Sequence, residues 1–367
     1  MSLYLICGAH TPHFANNKQG TGVGLTLFKV SYANPGLDLA QLSETPELNP
    51  TALGIADNKA RSIIYTCNET NQRKDVGLSV YKVLDWATGK ITKLGTYDTG
   101  GTSACNVVQI NRTLVVSNYK SGSVCAYRLH ADSTIARRTW FHQLTEHSDV
   151  VKDRQECAHA HCTHWVPQRN EILVADLGAD RIWKFDVDHN ASSLKFNSAQ
   201  KMVVCSGPRH LTTHPNNPNW LYAGMELSNQ IIHYEFSESH LIQQVGQPYC
   251  TLQGNIPRLD TNHVQTVSHI ECSQDGLHVY VANRGPLSSV ACFGIDQQNG
   301  TLSFVGNYST VTAVPRHFTF DPTGQIMLVA MQEGNCVAVF GREKSGQLKF
   351  VKNISTPTPQ YLIMVTV

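Results

Sequence analysis

Six β-rich runs in this 367-residue chain end alike: Tyr-Thr-Cys-Asn68-Glu69, Val-Val-Ser-Asn118-Tyr119, Val-Ala-Asp176-Leu177, Ala-Gly-Met225-Glu226, Val-Ala-Asn283-Arg284 and Val-Ala-Met331-Gln332. Their last residues lie 50, 58, 49, 58 and 48 positions apart. A turn and a second alternating strand follow each, as in Ser123–Leu129, Arg181–Val187 and Ser289–Ile295, and a further strand such as Leu302–Val305 closes the unit. Four short antiparallel strands at a period near fifty residues describe a propeller blade, with no helical 3.6-residue pattern to compete. The ends supply a seventh blade. Leu3–Cys7 and Leu25–Val30 read as middle strands lacking a first strand, and Pro359–Val365 reads as a first strand lacking the rest. Pairing them would close the ring and remove an exposed edge. The expectation is therefore one seven-bladed, all-β propeller domain over residues 1–367. Length alone would have suggested two or three domains, but repeat architectures escape that limit because each unit buries its face on the next.

The charge balance limits the partners. Twenty-nine basic and 28 acidic residues leave +1, with no basic run, so neither nucleic acid nor an anionic membrane is an expected partner. An anion must instead be met by a few placed arginines, which points to a small ligand. Eleven scattered cysteines, without C-x-x-C, suit free thiols in a reducing compartment better than a disulfide framework. The N-terminus lacks a basic n-region, and no stretch is apolar enough to span a bilayer, so a cytosolic location is expected.

Six motifs then appear in order at blade spacing: His159-Ala-His161, Asp176-Leu-Gly-Ala-Asp-Arg-Ile, Gly207-Pro-Arg209-His210, Met225-Glu226-Leu-Ser, Asn283-Arg284-Gly and Pro315-Arg316-His317-Phe. From about Asn49 to the C-terminus the chain resembles the propeller-type 6-phosphogluconolactonases, a group that includes fungal 3-carboxy-cis,cis-muconate lactonizing enzymes. It departs from that pattern at Ala104-Cys105-Asn106, where Pro-Cys-His is common, at Ala158, where proline is, and at Met331, where asparagine is. The resemblance implies hydrolysis of 6-phosphoglucono-1,5-lactone or a similar sugar lactone, without an organic cofactor. The alternatives are a carboxymuconate cycloisomerase and a binding scaffold, the latter using insertions around Thr139–Gln155 and Tyr249–Gln265.

The expected site lies at one mouth of the central channel. His159, His161, Arg209 and Arg316 stand near first strands, and Glu226, Arg284 and Gln332 follow second strands. The resemblance implies His161, Arg209, Glu226 and Arg284 as the active site. Opening a lactone needs an activated water and a stabilised oxyanion, so Glu226 and His161 are both candidate bases. Arginines suit the oxyanion and an anionic substrate, with Arg209 assigned the substrate anion and Arg284 the oxyanion; Arg316, His159 and Gln332 complete the substrate contacts. Read without the resemblance, Arg209, Arg316 and Glu226 would be ion-pair residues between blades. His210 and His317 read as packing residues, and Asn118 and Asn283 as turn residues bonding nearby backbone. The run His159-Ala-His161-Cys-Thr-His164 offers two ligands at most on one strand face, so no metal is expected.

Overall fold

The computed structural model describes residues 1–12, 20–57, 61–71, 77–237, 242–261, 263–310, 312 and 314–367. Seven four-stranded antiparallel sheets account for almost all of them, and the only helix among the described residues is the 3-10 turn Pro167–Arg169. The first strands of the blades touch one another in sequence around the ring: Pro50–Ile55, Ala104–Ile110, Ala160–Val166, Pro208–Thr213, Thr266–Cys272, Pro315–Phe320 and finally Pro359–Thr366, which returns to Pro50–Ile55. This chain is a closed seven-bladed propeller.

Closure occurs as the end segments implied. Pro359–Thr366 pairs antiparallel with Leu3–Ala9, in a register that sets Leu3 opposite Thr366 and Ile6 opposite Ile363. Leu3–Ala9 pairs in turn with Gly24–Tyr32, and that strand with Leu37–Pro46. The last blade is thus built from both ends of the chain, and the inner edge of Leu3–Ala9 is paired.

Apolar clusters fill the junctions between neighbouring blades. One joins Leu173, Ala175 and Ile182 to Leu221, Ala223 and Ile232; another joins Leu5, Cys7 and Phe28 to Leu328, Ala330 and Val339. Alternation explains both: one face of each twisted sheet meets the next blade on either side, so second and third strands are apolar on both faces, whereas outer strands such as Leu348–Ser355 are half exposed. A tyrosine three residues before the repeat's Asn or Met clasps adjacent blades. Tyr65, Tyr222 and Tyr280 each donate their hydroxyl to a carbonyl in the outer hairpin of the next blade, at Ser133, Gly300 and Gly346. The repeat asparagines do not chiefly bond nearby backbone, as turn chemistry suggested. Asn68, Asn118 and Asn283 donate instead to the hydroxyls of Ser79, Ser123 and Ser289 at the start of the following strand, and Asn283 also reaches the carbonyl of Thr251.

Candidate active site

The first strands carry a shared irregularity that aims side chains at the channel mouth. Ala160 pairs with Asp176 and Cys162 with Ala175, which leaves His161 unopposed. Pro208 pairs with Met225 and His210 with Gly224, leaving out Arg209; Pro315 and His317 pair with Met331 and Ala330, leaving out Arg316. Thr51 and Cys105 are left out in the same way. Such bulges re-aim the extra residue and shift the alternation that follows. They also overturn the face argument for the histidine run. His159 precedes the strand and His161 occupies the bulge, so the two do not share a regular strand face.

Glu226 and Arg284 reach the same place from the turn after a second strand. A cavity of ≈ 500 Å³ opens there, and its wall includes all seven residues expected from the sequence: His159, His161, Arg209, Glu226, Arg284, Arg316 and Gln332. Glu226 is its electrostatic centre. Oε1 lies 2.6 Å from Arg154 Nη2 and 3.0 Å from Arg284 Nη2, while Oε2 lies 2.8 Å from Arg209 Nε. Burial alone would raise this carboxyl, but the charges of Arg284, Arg154 and Arg209 hold it well below the usual carboxylate range. Burial and the neighbouring Arg284 lower Arg209 from its ordinary value, though it stays charged near neutral pH. Arg209 also donates through Nη1 to the Ser268 carbonyl. Arg316 pairs at 3.1 Å with Glu69, whose blade is separated from that of Arg316 by the closing blade, so this pair spans the mouth.

His161 differs from these residues. Burial, reinforced by the charge of Arg209, drives its imidazole well below the ordinary histidine value, so it is neutral at pH 7. Its buried Nδ1 has no hydrogen-bond partner among the described residues. Deeper in the channel the rings continue from His161 to His210 (centroids 5.3 Å apart), then His269 (5.1 Å) and His317 (4.1 Å). His210 and His317 are therefore packed as expected, but against other imidazoles along the channel, and His210 Nδ1 is 2.8 Å from His269 Nδ1. Asn106, one of the departures from the pattern expected by resemblance, accepts at Oδ1 from both the backbone N–H and the hydroxyl of Thr163 in the next blade.

Glu69, Tyr119 and Arg154 are among the wall residues that the sequence did not single out. Glu69 and Tyr119 occupy the repeat position of Glu226 and Arg284, and that register was the signal that could have found them. Arg154 comes from the insertion before Ala160, which lies outside the four repeated strands of the blade, so the strand pattern carried no signal for it. The insertion itself is shorter than expected: Thr139–Gln143 belongs to the strand Ile135–Gln143, and Tyr249 and Cys250 belong to the strand Ile242–Cys250. Residue 262, in the second insertion, lies outside the described residues.

The pocket at the channel mouth thus holds a carboxylate among three guanidinium groups with a neutral imidazole in the same wall. The sequence matches the family "Lactonase, 7-bladed beta-propeller" over residues 10–364, and the chain belongs to that family. It is 30% identical over 322 residues to the 6-phosphogluconolactonase of Bacillus subtilis, covering 85% of this chain and 86% of that one. It is 28% identical to the 6-phosphogluconolactonase of Formosa agariphila, covering 92% and 93%. Among solved structures, a candidate 6-phosphogluconolactonase of Bacteroides fragilis superposes with a TM-score of 0.87 at 26% identity, covering 100% of this chain and 98% of that one. The periplasmic gluconolactonase of Pseudomonas aeruginosa shares the fold, at a TM-score of 0.87, 24% identity and full coverage of both chains. No helix among the described residues is long and apolar enough to cross a membrane.

Proposed function

We propose that this chain hydrolyses a sugar 1,5-lactone at the channel mouth, with 6-phosphoglucono-1,5-lactone as the favoured substrate. The observation that carries the reading is the buried Glu226 held by three guanidinium groups in a pocket also lined by a neutral His161. The 6-phosphogluconolactonase relatives favour hydrolysis over the cycloisomerase and scaffold readings.

The chemistry follows from where each group lies. Arg209 is 2% exposed and fixed at the pocket floor, so with Arg284 it faces the reacting carbonyl rather than a distal phosphate. Guanidinium donors fixed in advance stabilise the oxyanion as it forms. Arg316, Gln332 and the more exposed Arg154 are left for the phosphate and hydroxyls. The His161 imidazole, which lines the pocket, accepts a proton from water as the oxygen attacks the carbonyl carbon. When the tetrahedral intermediate collapses, the bond from that carbon to the ring oxygen breaks, and the imidazolium returns the proton to the leaving oxygen. The product carries a free carboxylate and an open-chain hydroxyl. Glu226, whose basicity the arginines suppress, positions those arginines and repels the new carboxylate. A phosphate dianion entering near Arg316 offsets part of the positive field on His161 and makes it a better base. The unpaired cysteines accord with the cytosolic location expected from composition.

The test compares His161→Asn with wild type on the phosphorylated and unphosphorylated lactones. A base contributes roughly 10²–10⁴-fold, so the variant should lose that factor in kcat on both substrates with KM little changed. Retention of kcat would remove His161 from the proton transfer.

A further inference from the structure

A second cluster stands at the rim of this pocket. Glu156, Cys157 and His159 bring one carboxylate oxygen, one thiol sulfur and one imidazole nitrogen within 4.8 Å of one another. His159 Nε2 is 3.3 Å from Glu156 Oε2 and 3.8 Å from Cys157 Sγ, and that sulfur is 4.0 Å from Glu156 Oε1. Around a tetrahedral zinc ion, with ligands at about 2.0–2.3 Å, donor atoms stand about 3.3–3.7 Å apart. The imidazole nitrogen and one carboxylate oxygen already stand at such a spacing, and the thiol sulfur must draw in to complete it.

The imidazole is held as a metal ligand usually is. Nδ1 lies 3.0 Å from the Tyr119 carbonyl, which can only accept, so Nδ1 carries a hydrogen, and Nε2, which faces the Glu156 carboxylate, gives up its proton when a cation binds. The Tyr119 ring stacks on His159 at 4.4 Å, and the His159 backbone N–H donates to Asp176 Oδ1. The neighbouring backbone is fixed too. A Cβ at Gly178 would come within 1.8 Å of the Cys157 carbonyl oxygen, so glycine there lets the loop lie flat on the blade. His159 is buried, Cys157 partly so and Glu156 exposed, so an ion has a route in from solvent.

We propose that Glu156, Cys157 and His159 bind a borderline-soft divalent first-row cation, zinc foremost, at the pocket rim. The thiolate and imidazole select against magnesium and calcium, which prefer oxygen ligands. Glu156 and His159 both line the pocket, so the remaining coordination position is open to water there. Arg154 lies two residues before Glu156, so a bound ion anchors the loop that delivers Arg154 to Glu226. The site does not depend on which lactone is turned over.

Cobalt substitution tests it with a spectroscopic readout. Chelator-treated, reduced protein titrated with Co²⁺ should take up one equivalent, with a thiolate-to-cobalt charge-transfer band and ligand-field bands of tetrahedral intensity. Cys157→Ser should abolish the charge-transfer band, and Glu156→Gln, which removes a direct ligand, should weaken binding by at least the roughly tenfold that loss of an outer-shell partner already costs. One equivalent of Zn²⁺ should also protect Cys157 from alkylation while leaving the exposed Cys250 reactive. A charge-transfer band that survives Cys157→Ser, a loss of it in Cys250→Ser, or the absence of any stoichiometric uptake would overturn the assignment. A simple His159–Glu156 ion pair predicts the last of these.

Discussion

Replacing Glu226 by glutamine should damage stability as well as turnover, and the size of the loss can be worked out. The side chains of Glu226 and Arg209 are 4% and 3% exposed, and that of Arg284 is 15%. Glutamine keeps the shape but leaves these desolvated guanidinium groups without a counter-charge. Breaking a buried ion pair from one side costs about 3–5 kcal/mol, because a charge remains buried and unpaired. Unfolding entropy near 2.1 cal/mol/K per residue gives roughly 0.8 kcal/mol/K for a chain of this length, so the loss corresponds to a fall in Tm of about 4–6 °C. The same variant should bind an inorganic anion better than wild type, since phosphate can replace the missing carboxylate. Thermal unfolding with and without phosphate measures both effects. A Tm within a degree of wild type, with no phosphate-dependent recovery, would refute the claim that Glu226 is the counter-ion of this cluster.

Other outcomes follow from the same structure. Because His161 titrates well below the ordinary histidine range, the acid limb of kcat/KM should lie well below pH 6.5; half-loss near 6.5 would point to another base. The buried His161, His210 and His317 all have lowered folded values, so their neutral forms stabilise the protein fully above about pH 6.5. That contribution is lost as the pH falls through 6.5, where the unfolded chain binds protons, and urea midpoints at pH 7.5 and 5.5 should show the decline. Arg154→Gln, at a side chain 34% exposed, should leave Tm nearly unchanged yet raise KM for the phosphorylated lactone about tenfold, as steady-state kinetics would show. Deleting residues 358–367 removes the inner strand of the closing blade and bares the edge of Leu3–Ala9, so the cooperative transition should disappear and the protein aggregate; a soluble, cooperatively folding truncation would contradict ring closure.

The fold was legible because its information is local and repeated. Alternating strands, the Asn or Met endings and the spacing survive in each blade, and even the split blade shows itself as Leu3–Cys7 without a first strand and Pro359–Val365 without a second. The site was legible as a set of residues, since His161, Arg209, Glu226, Arg284 and Arg316 recur at two fixed places in the repeat. Their geometry was not. A bulge at the second residue of a first strand leaves no mark in composition, and it decides that Arg209 points to the channel mouth while His210 joins a column of rings. Arg154 was invisible for a different reason. It sits in an insertion between the repeated strands, and its role comes from a contact with Glu226, 72 residues away in sequence.

The central claim is lactone hydrolysis at the Glu226 cluster. Its most direct test is turnover of freshly generated 6-phosphoglucono-1,5-lactone, corrected for spontaneous opening, by wild type and by Arg209→Ala. The account predicts a rate proportional to enzyme concentration that collapses in the variant. No rate above background with that lactone or with its unphosphorylated counterpart, or an undiminished rate in Arg209→Ala, would contradict it.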